Sequence, residues 1–319
     1  MKLLRFRRTE TSRPEWGIVD DGAVRPIVAR HTVAEIFTAV KSGKIPTARP
    51  LRLDAVIMLP PTDENVHLYC AGLNYRDHAK ELRMPVPKSP VFFTKSVGAL
   101  CGARDDIVYP SGTRLLDYEV ELALVVGRRI GQSDVLRPDT LKDFVLGLAV
   151  INDVSARDVQ LSATQWFLGK SFRSFAPLGP WVQTLDEDVM QRLRDLRLEL
   201  RVTAPDGTTY PNKCQSGSAA DMIFPPHELL NCLREKFDLR PGDVIATGTP
   251  RGVAMSRPGR FKTRIAEILG IAPGKRVAAY IAGEIKNNRN YLERGDVVSA
   301  RIATDNGFVD LGEQRTRVV

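Results

Sequence analysis

The segment Asp117-Tyr118-Glu119-Val120-Glu121-Leu122-Ala123-Leu124-Val125-Val126-Gly127 sets two acids into a run that otherwise has the composition of a buried strand. Residues two apart on a strand face the same side, so Glu119 and Glu121 stand side by side and their like charges repel. A chain that folds this run into its interior needs something positive against that face. A second apolar strand, Leu148-Ala149-Val150-Ile151-Asn152-Asp153, ends in another acid. Three carboxylates with room for water form the hard oxygen donor set of magnesium, calcium or manganese rather than of zinc. The two segments therefore predict a divalent metal site at Glu119, Glu121 and Asp153. The competing reading puts the glutamates on the wet face of an antiparallel strand, where alternating charge is ordinary.

At 319 residues and 43% hydrophobic content, the chain can bury a large core, and its length suggests about two domains. No apolar run reaches the roughly 18 residues that span a bilayer, and the start, Met1-Lys2-Leu3-Leu4-Arg5-Phe6-Arg7-Arg8, is too charged for a signal peptide. No membrane partner is expected, and a cytoplasmic location follows by default. Cys70, Cys101, Cys214 and Cys232 lack C-x-x-C spacing and have no paired histidines nearby, which predicts reduced structural thiols rather than zinc ligands or disulfides. Of the net charge of +8, residues 251–294 hold +7, with ten Lys and Arg against three Glu. Only Phe261, Tyr280 and Tyr291 interrupt that segment as aromatics, and it matches no nucleic-acid-reading motif. It reads first as a solvated basic face, with no nucleic-acid partner; a lid drawing in an acidic substrate, a partner surface, and contact with anionic lipid or nucleic acid are the alternatives.

Residues 1–65 look like a small α+β domain, with short strands at Leu3 to Arg7, Gly17 to Asp20 and Ala23 to Ile27, an amphipathic helix over Val33 to Lys41, and Leu59-Pro60-Pro61-Thr62 as punctuation. The rest, 66–319, shows many short strands between Gly, Pro and Asp turns, among them Val91 to Thr94, Leu198 to Val202, Val244 to Ala246 and Val297 to Ile302. This spacing predicts a mainly β, α+β architecture, a mixed roll or sandwich, and argues against a doubly wound dinucleotide fold.

In Cys70-Ala71-Gly72-Leu73-Asn74-Tyr75-Arg76-Asp77-His78-Ala79-Lys80-Glu81-Leu82, Asn74 is a candidate N-cap. A helix after it sets His78 and Glu81 at i,i+3, where a carboxylate orients an imidazole and raises its basicity; an exposed ion pair is the plainer alternative. Asp153-Val154-Ser155-Ala156-Arg157-Asp158-Val159-Gln160 offers the fork of Arg157 to a carboxylate. Gly169-Lys170-Ser171-Phe172 offers a partly desolvated cation. Gly242-Asp243-Val244-Ile245-Ala246-Thr247-Gly248-Thr249-Pro250 is a strand and tight turn whose amides and Thr249 hydroxyl suit oxygens.

In this order the segments resemble the fumarylacetoacetate hydrolase family, with its G-x-N-Y-x-x-H-x-x-E, D-Y-E-x-E-L, N-D-x-[ST]-A-R-D-x-Q, K-S-F and G-D-x-I-x-T-G-T-P blocks, all present across residues 66–256. The resemblance implies a homodimeric β-roll enzyme binding Mg²⁺, Mn²⁺ or Ca²⁺ through Glu119, Glu121 and Asp153. It implies that His78 and Glu81 activate water on a mobile lid, and that Arg157, Gln160, Lys170 and Thr249, with Gly248 of the same turn, contact a small oxo-acid substrate; a tetrahedral oxyanion needs a positive or donor group, for which Lys170 is the choice. The implied reaction is hydrolysis of the carbon–carbon bond of a 2,4-dioxo acid such as an acylpyruvate, with a decarboxylase, isomerase or dehydratase on the same metal site as the alternative. A binding protein acting through the basic segment is the reading from another class. Three departures stand out: Lys170-Ser171-Phe172-Arg173 where the family commonly has K-S-F-D, Lys95-Ser96-Val97 where many members have K-P-[ST], and the long basic insertion at about 251–294, with a helix predicted around Lys262 to Leu269.

Overall fold

The strands Val120–Val126 and Val145–Asn152 are buried along their whole lengths, which is why their sequences run apolar instead of alternating. They pair antiparallel, with Val120 opposite Asn152 and Ala123 opposite Ala149. The computed structural model describes residues 1–256 and 272–319, so the helix predicted around Lys262 to Leu269 lies outside the described residues. On one side of the central pair the sheet continues through Val244–Ala246, then Leu68–Gly72 in parallel, then Val91–Lys95. On the other side come Val182–Thr184, Lys2–Arg7, Glu15–Asp20, Ala23–Pro26 and Leu51–Arg52. The sheet is thus continuous from the strands of residues 1–65 into the central pair.

A second sheet of Thr209–Ser218, Arg197–Thr203, Val297–Ala303 and Asp310–Arg317 is antiparallel throughout. Arg197–Thr203 alternates exposed and buried residues, and its inner face, with Leu198, Leu200 and Val202, joins the core of the first sheet. The outcome is the mainly β, α+β roll expected from the strand spacing.

Helices are few and mostly short. Val33–Ser42 is bounded by a Thr32–Glu35 capping box and by Gly43 in the left-handed region. Arg76–Glu81 begins after Tyr75, not Asn74. The Asn74 side chain is committed elsewhere: its amide donates to the carbonyls of Phe224 (3.0 Å) and Thr247 (2.8 Å), and its oxygen accepts from Phe224 N–H. The 15-residue helix Pro273–Asn287 lies inside the basic insertion and was not anticipated. Val277, Tyr280, Ile281 and Ile285 stand at helical spacing on one face, with Glu284 interrupting it, and Pro273 at the first turn marks the start. All four cysteines are free, Cys70 and Cys101 being buried. No helix among the described residues is long and apolar enough to cross a membrane.

Candidate metal centre and active site

Strand pairing assembles the acids. Val120 lies opposite Asn152, Asp153 N–H donates to the Glu119 carbonyl (2.8 Å), and the Asn152 side-chain oxygen accepts from Glu119 N–H (2.9 Å). The ends of the two strands are thereby locked together. Glu119, Glu121 and Asp153 are all buried, and one oxygen from each lies within 4.8 Å of the others. Oxygens around a hexacoordinate Mg²⁺ at about 2.1 Å are roughly 3 to 4.2 Å apart, so small side-chain movements suffice to close the three around such an ion. Both the hardness of the donor set and its spacing fit a divalent cation.

Cations already meet these acids. Lys170 Nζ donates to Glu119 Oε2 (2.5 Å) and Asp153 Oδ2 (2.6 Å). Lys95 Nζ donates to Asp153 Oδ1 and to the Val154 carbonyl. Arg157 donates through one terminal nitrogen to Glu119 Oε1 (2.5 Å), through Nε to Asp117 Oδ2 (2.8 Å), and through its other nitrogen to Gln160 Oε1 (2.9 Å). The fork of Arg157, expected to be open to a substrate, thus grips the protein's own carboxylates. Four acids, Asp117, Glu119, Glu121 and Asp153, face three cations, Lys95, Arg157 and Lys170. A bound divalent ion reverses that deficit and leaves one positive charge over, so the loaded site attracts an anion.

The same balance shapes protonation. Burial raises the Glu119 carboxyl, but Arg157 and Lys170 outweigh it and hold it down to about 2; His78 adds a smaller pull of the same sign. Burial, then Asp153 and Glu119, push Glu121 well above the usual carboxylate range. Burial lowers Lys170, yet Asp153 and Glu119 more than restore it, so its ammonium persists.

The turn after Val244–Ala246 fastens Glu121: Gly248 N–H donates to Glu121 Oε2 (2.8 Å). Gly248 has φ +93°, and a Cβ there would come within 2.9 Å of the Asn74 Cβ, so the turn requires glycine. The Thr249 hydroxyl donates to the Val120 carbonyl (3.0 Å) and accepts from the Gln215 amide (2.8 Å), which anchors the turn to the glutamate strand. On Arg76–Glu81, His78 Nδ1 lies 3.2 Å from Glu81 Oε2. An ionised Glu81 makes Nδ1 the donor and leaves Nε2 free to accept a proton. The Glu81 oxygens also accept from Gly252 N–H, at 3.0 and 3.2 Å.

Residues 67–319 match the family model described as fumarylacetoacetate (FAA) hydrolase, C-terminal. The chain belongs to the fumarylacetoacetate hydrolase family. A candidate hydrolase of Burkholderia ambifaria is 38% identical over 263 residues, covering 80% of this chain and 88% of its own. Solved structures similar over all of this chain include two with named activities. The fumarylacetoacetate hydrolase of Exiguobacterium antarcticum has a TM-score of 0.68 at 28% identity, with 99% of its chain covered. The 2-hydroxyhepta-2,4-diene-1,7-dioate isomerase of Mycobacterium marinum has 0.69 at 26%, with 98% covered. Hydrolases and isomerases thus share this family fold.

Sequence reasoning brought together the acids, the His78–Glu81 pair and Lys170, but missed Lys95, Asp117, Asn74 and Gln215. Lys95 ends an apolar strand, a misplaced charge of the kind that drew attention to Glu121. Asp117 stood in view as the first acid of its segment.

Glu121 gives a pH dependence for metal binding. Its raised value keeps it protonated in the metal-free protein through a range where an ordinary carboxyl is ionised, so a cation must displace that proton. Affinity should rise with pH, by about tenfold per unit at most for one proton, until Glu121 ionises unaided. Titration calorimetry with Mn²⁺ in buffers of different ionisation enthalpy counts the proton; zero release would contradict the expectation.

Proposed function

We propose that this protein is a divalent-metal-dependent hydrolase that cleaves the carbon–carbon bond of a 2,4-dioxo acid of the acylpyruvate type. The observation that carries the reading is the conjunction of a buried triad of carboxylates with an imidazole whose Nδ1 is held by Glu81. A divalent ion bound by Glu119, Glu121 and Asp153 would supply a Lewis acid for the 2-oxo acid end of the substrate; the chain's own residues do the rest. His78 Nε2 takes a proton from water, and the resulting oxygen nucleophile adds to the C4 carbonyl. Lys170 has spent two of its three N–H donors on Glu119 and Asp153, so one remains for the C4 oxyanion. When the oxyanion collapses, the C3–C4 bond breaks and its electron pair goes to C3. Protonation there by His78 releases a 2-oxo acid beside the new carboxylic acid.

Arg157 fixes Glu119 and aligns Gln160, whose amide N–H groups remain for the substrate. Thr249 orders the turn that holds Glu121. The isomerase likeness supports a second reading in which the same cation site promotes isomerisation without attack by water. The assay that decides is the ultraviolet absorbance of the diketo-enolate of an acylpyruvate. Its loss with added Mg²⁺ or Mn²⁺, abolished by chelator, and with two acid products, is the expected result. Turnover that persists in chelator, or a product of unchanged mass, would count against hydrolysis.

A further inference from the structure

Three carboxylates from three different elements take the amides of one short segment in order. Gly252 N–H goes to Glu81. Ala254 N–H (2.8 Å) and Met255 N–H (3.1 Å) go to Asp117. Ser256 N–H (3.2 Å) and its hydroxyl (2.5 Å) go to Glu284. Two of these acids already belong to the site: Glu81 orients His78, and Asp117 holds the arginine that holds Glu119. The third lies on Pro273–Asn287, the helix of the basic insertion.

Glu284 is the one buried residue of that helix. Burying a carboxylate is costly unless donors compensate it, and here they do: besides Ser256, it accepts from Asn288 Nδ2 (2.9 Å) and the Tyr291 hydroxyl (2.8 Å). The helix grips the segment from its carbonyl side too. Asn288 Nδ2 donates to the Ala254 carbonyl (2.8 Å), and the Tyr280 hydroxyl donates to that of Ser256. The segment passes close to its neighbour at Gly252, where φ is +103° and a Cβ would lie 2.4 Å from the Cys214 carbonyl oxygen. Releasing Ser256 removes one of the four residues whose amides hold this segment, at the end opposite Gly252 and Glu81.

We propose that Glu284 is a positioning residue: through the segment Gly252–Ser256 the insertion helix sets the orientation of Glu81, and so of His78. This rests on the hydrolytic reading above, in which the pair activates water. Displacements of about 1 Å in a catalytic group cost on the order of 100-fold in rate, so losing one end of the tether should be measurable.

The test uses the full chain and two readouts. In hydrogen–deuterium exchange of the metal-free protein, Glu284→Ala should speed exchange at least tenfold in peptides covering 250–256 and 76–82, while the exposed-site control Lys286→Ala changes neither. In the acylpyruvate assay with Mn²⁺, Glu284→Ala should lower kcat about tenfold with KM within about threefold. Introduced into Glu81→Gln, the same substitution should cost no more than about twofold, because the tether then ends on a pair already disabled. Should Glu284→Ala fold poorly, Ser256→Ala removes the exposed partner and should give the same pattern at about threefold. Faster exchange confined to the insertion helix, or full additivity in the double variant, overturns the proposal. A wild-type protein inert towards acylpyruvates refutes the hydrolase reading instead, and leaves exchange at 76–82 to judge Glu284.

Discussion

Glu119→Ala is expected to abolish metal-dependent turnover, by at least about 1,000-fold, and to destabilise the protein by about 3–5 kcal/mol. The two losses have one origin. Glu119 is a candidate metal ligand and also the shared acceptor of Arg157 and Lys170, and its removal leaves two buried cations undercompensated. Breaking a buried pair from one side is far costlier than its net worth, because the remaining charge keeps its desolvation penalty. Glu119 is held down to about 2. Its contribution is therefore present above the ordinary carboxylate value and is lost as pH falls through about 2. Denaturant titration of both proteins with chelator measures the stability arm. A variant as stable as the parent, or one retaining Mn²⁺-dependent turnover, would remove Glu119 from the centre of the site.

His78→Ala is expected to lower the hydrolytic rate by about 100- to 10,000-fold, the usual range for a lost general base, while Mn²⁺ affinity stays within about threefold. The imidazole is buried and tied to Glu81 rather than to any of the three clustered acids, so its removal should spare the cation. The same variant separates the reactions that this family fold supports. A reaction that needs only the Lewis acid would proceed nearly intact, and hydrolysis would not. Steady-state kinetics on an acylpyruvate, beside an electron paramagnetic resonance titration of Mn²⁺, gives both numbers. Undiminished turnover would transfer the proposal to an isomerase or decarboxylase.

What could be read from the sequence was whatever broke a local rule. Glu119 and Glu121 interrupt a buried strand, Asp153 ends another, and His78 has a carboxylate at helical spacing. Each anomaly is visible within ten residues, and each lies at the site. The strand spacing likewise made the mainly β architecture legible. Partners set by tertiary structure were not legible. Lys95 reaches Asp153 from the far side of Leu68–Gly72 and the strands beyond it. Asn74 left its expected cap because Phe224 and Thr247 offered both donor and acceptor, and a side chain satisfied three times over outcompetes a single capping bond. Glu284 looks like one more acid on a polar helix until Ser256 and Tyr291 are seen to converge on it.

The count of acids and bases around the centre also favours a sequence of arrivals. In the metal-free protein Glu121 holds its proton, so three acids balance three cations and an incoming anion gains nothing; a doubly charged ion that displaces this proton leaves a surplus of one. An anionic ligand should therefore bind more tightly after the metal than before it, and each should strengthen the hold of the other. Removing the ion should weaken the hold on the anion as well.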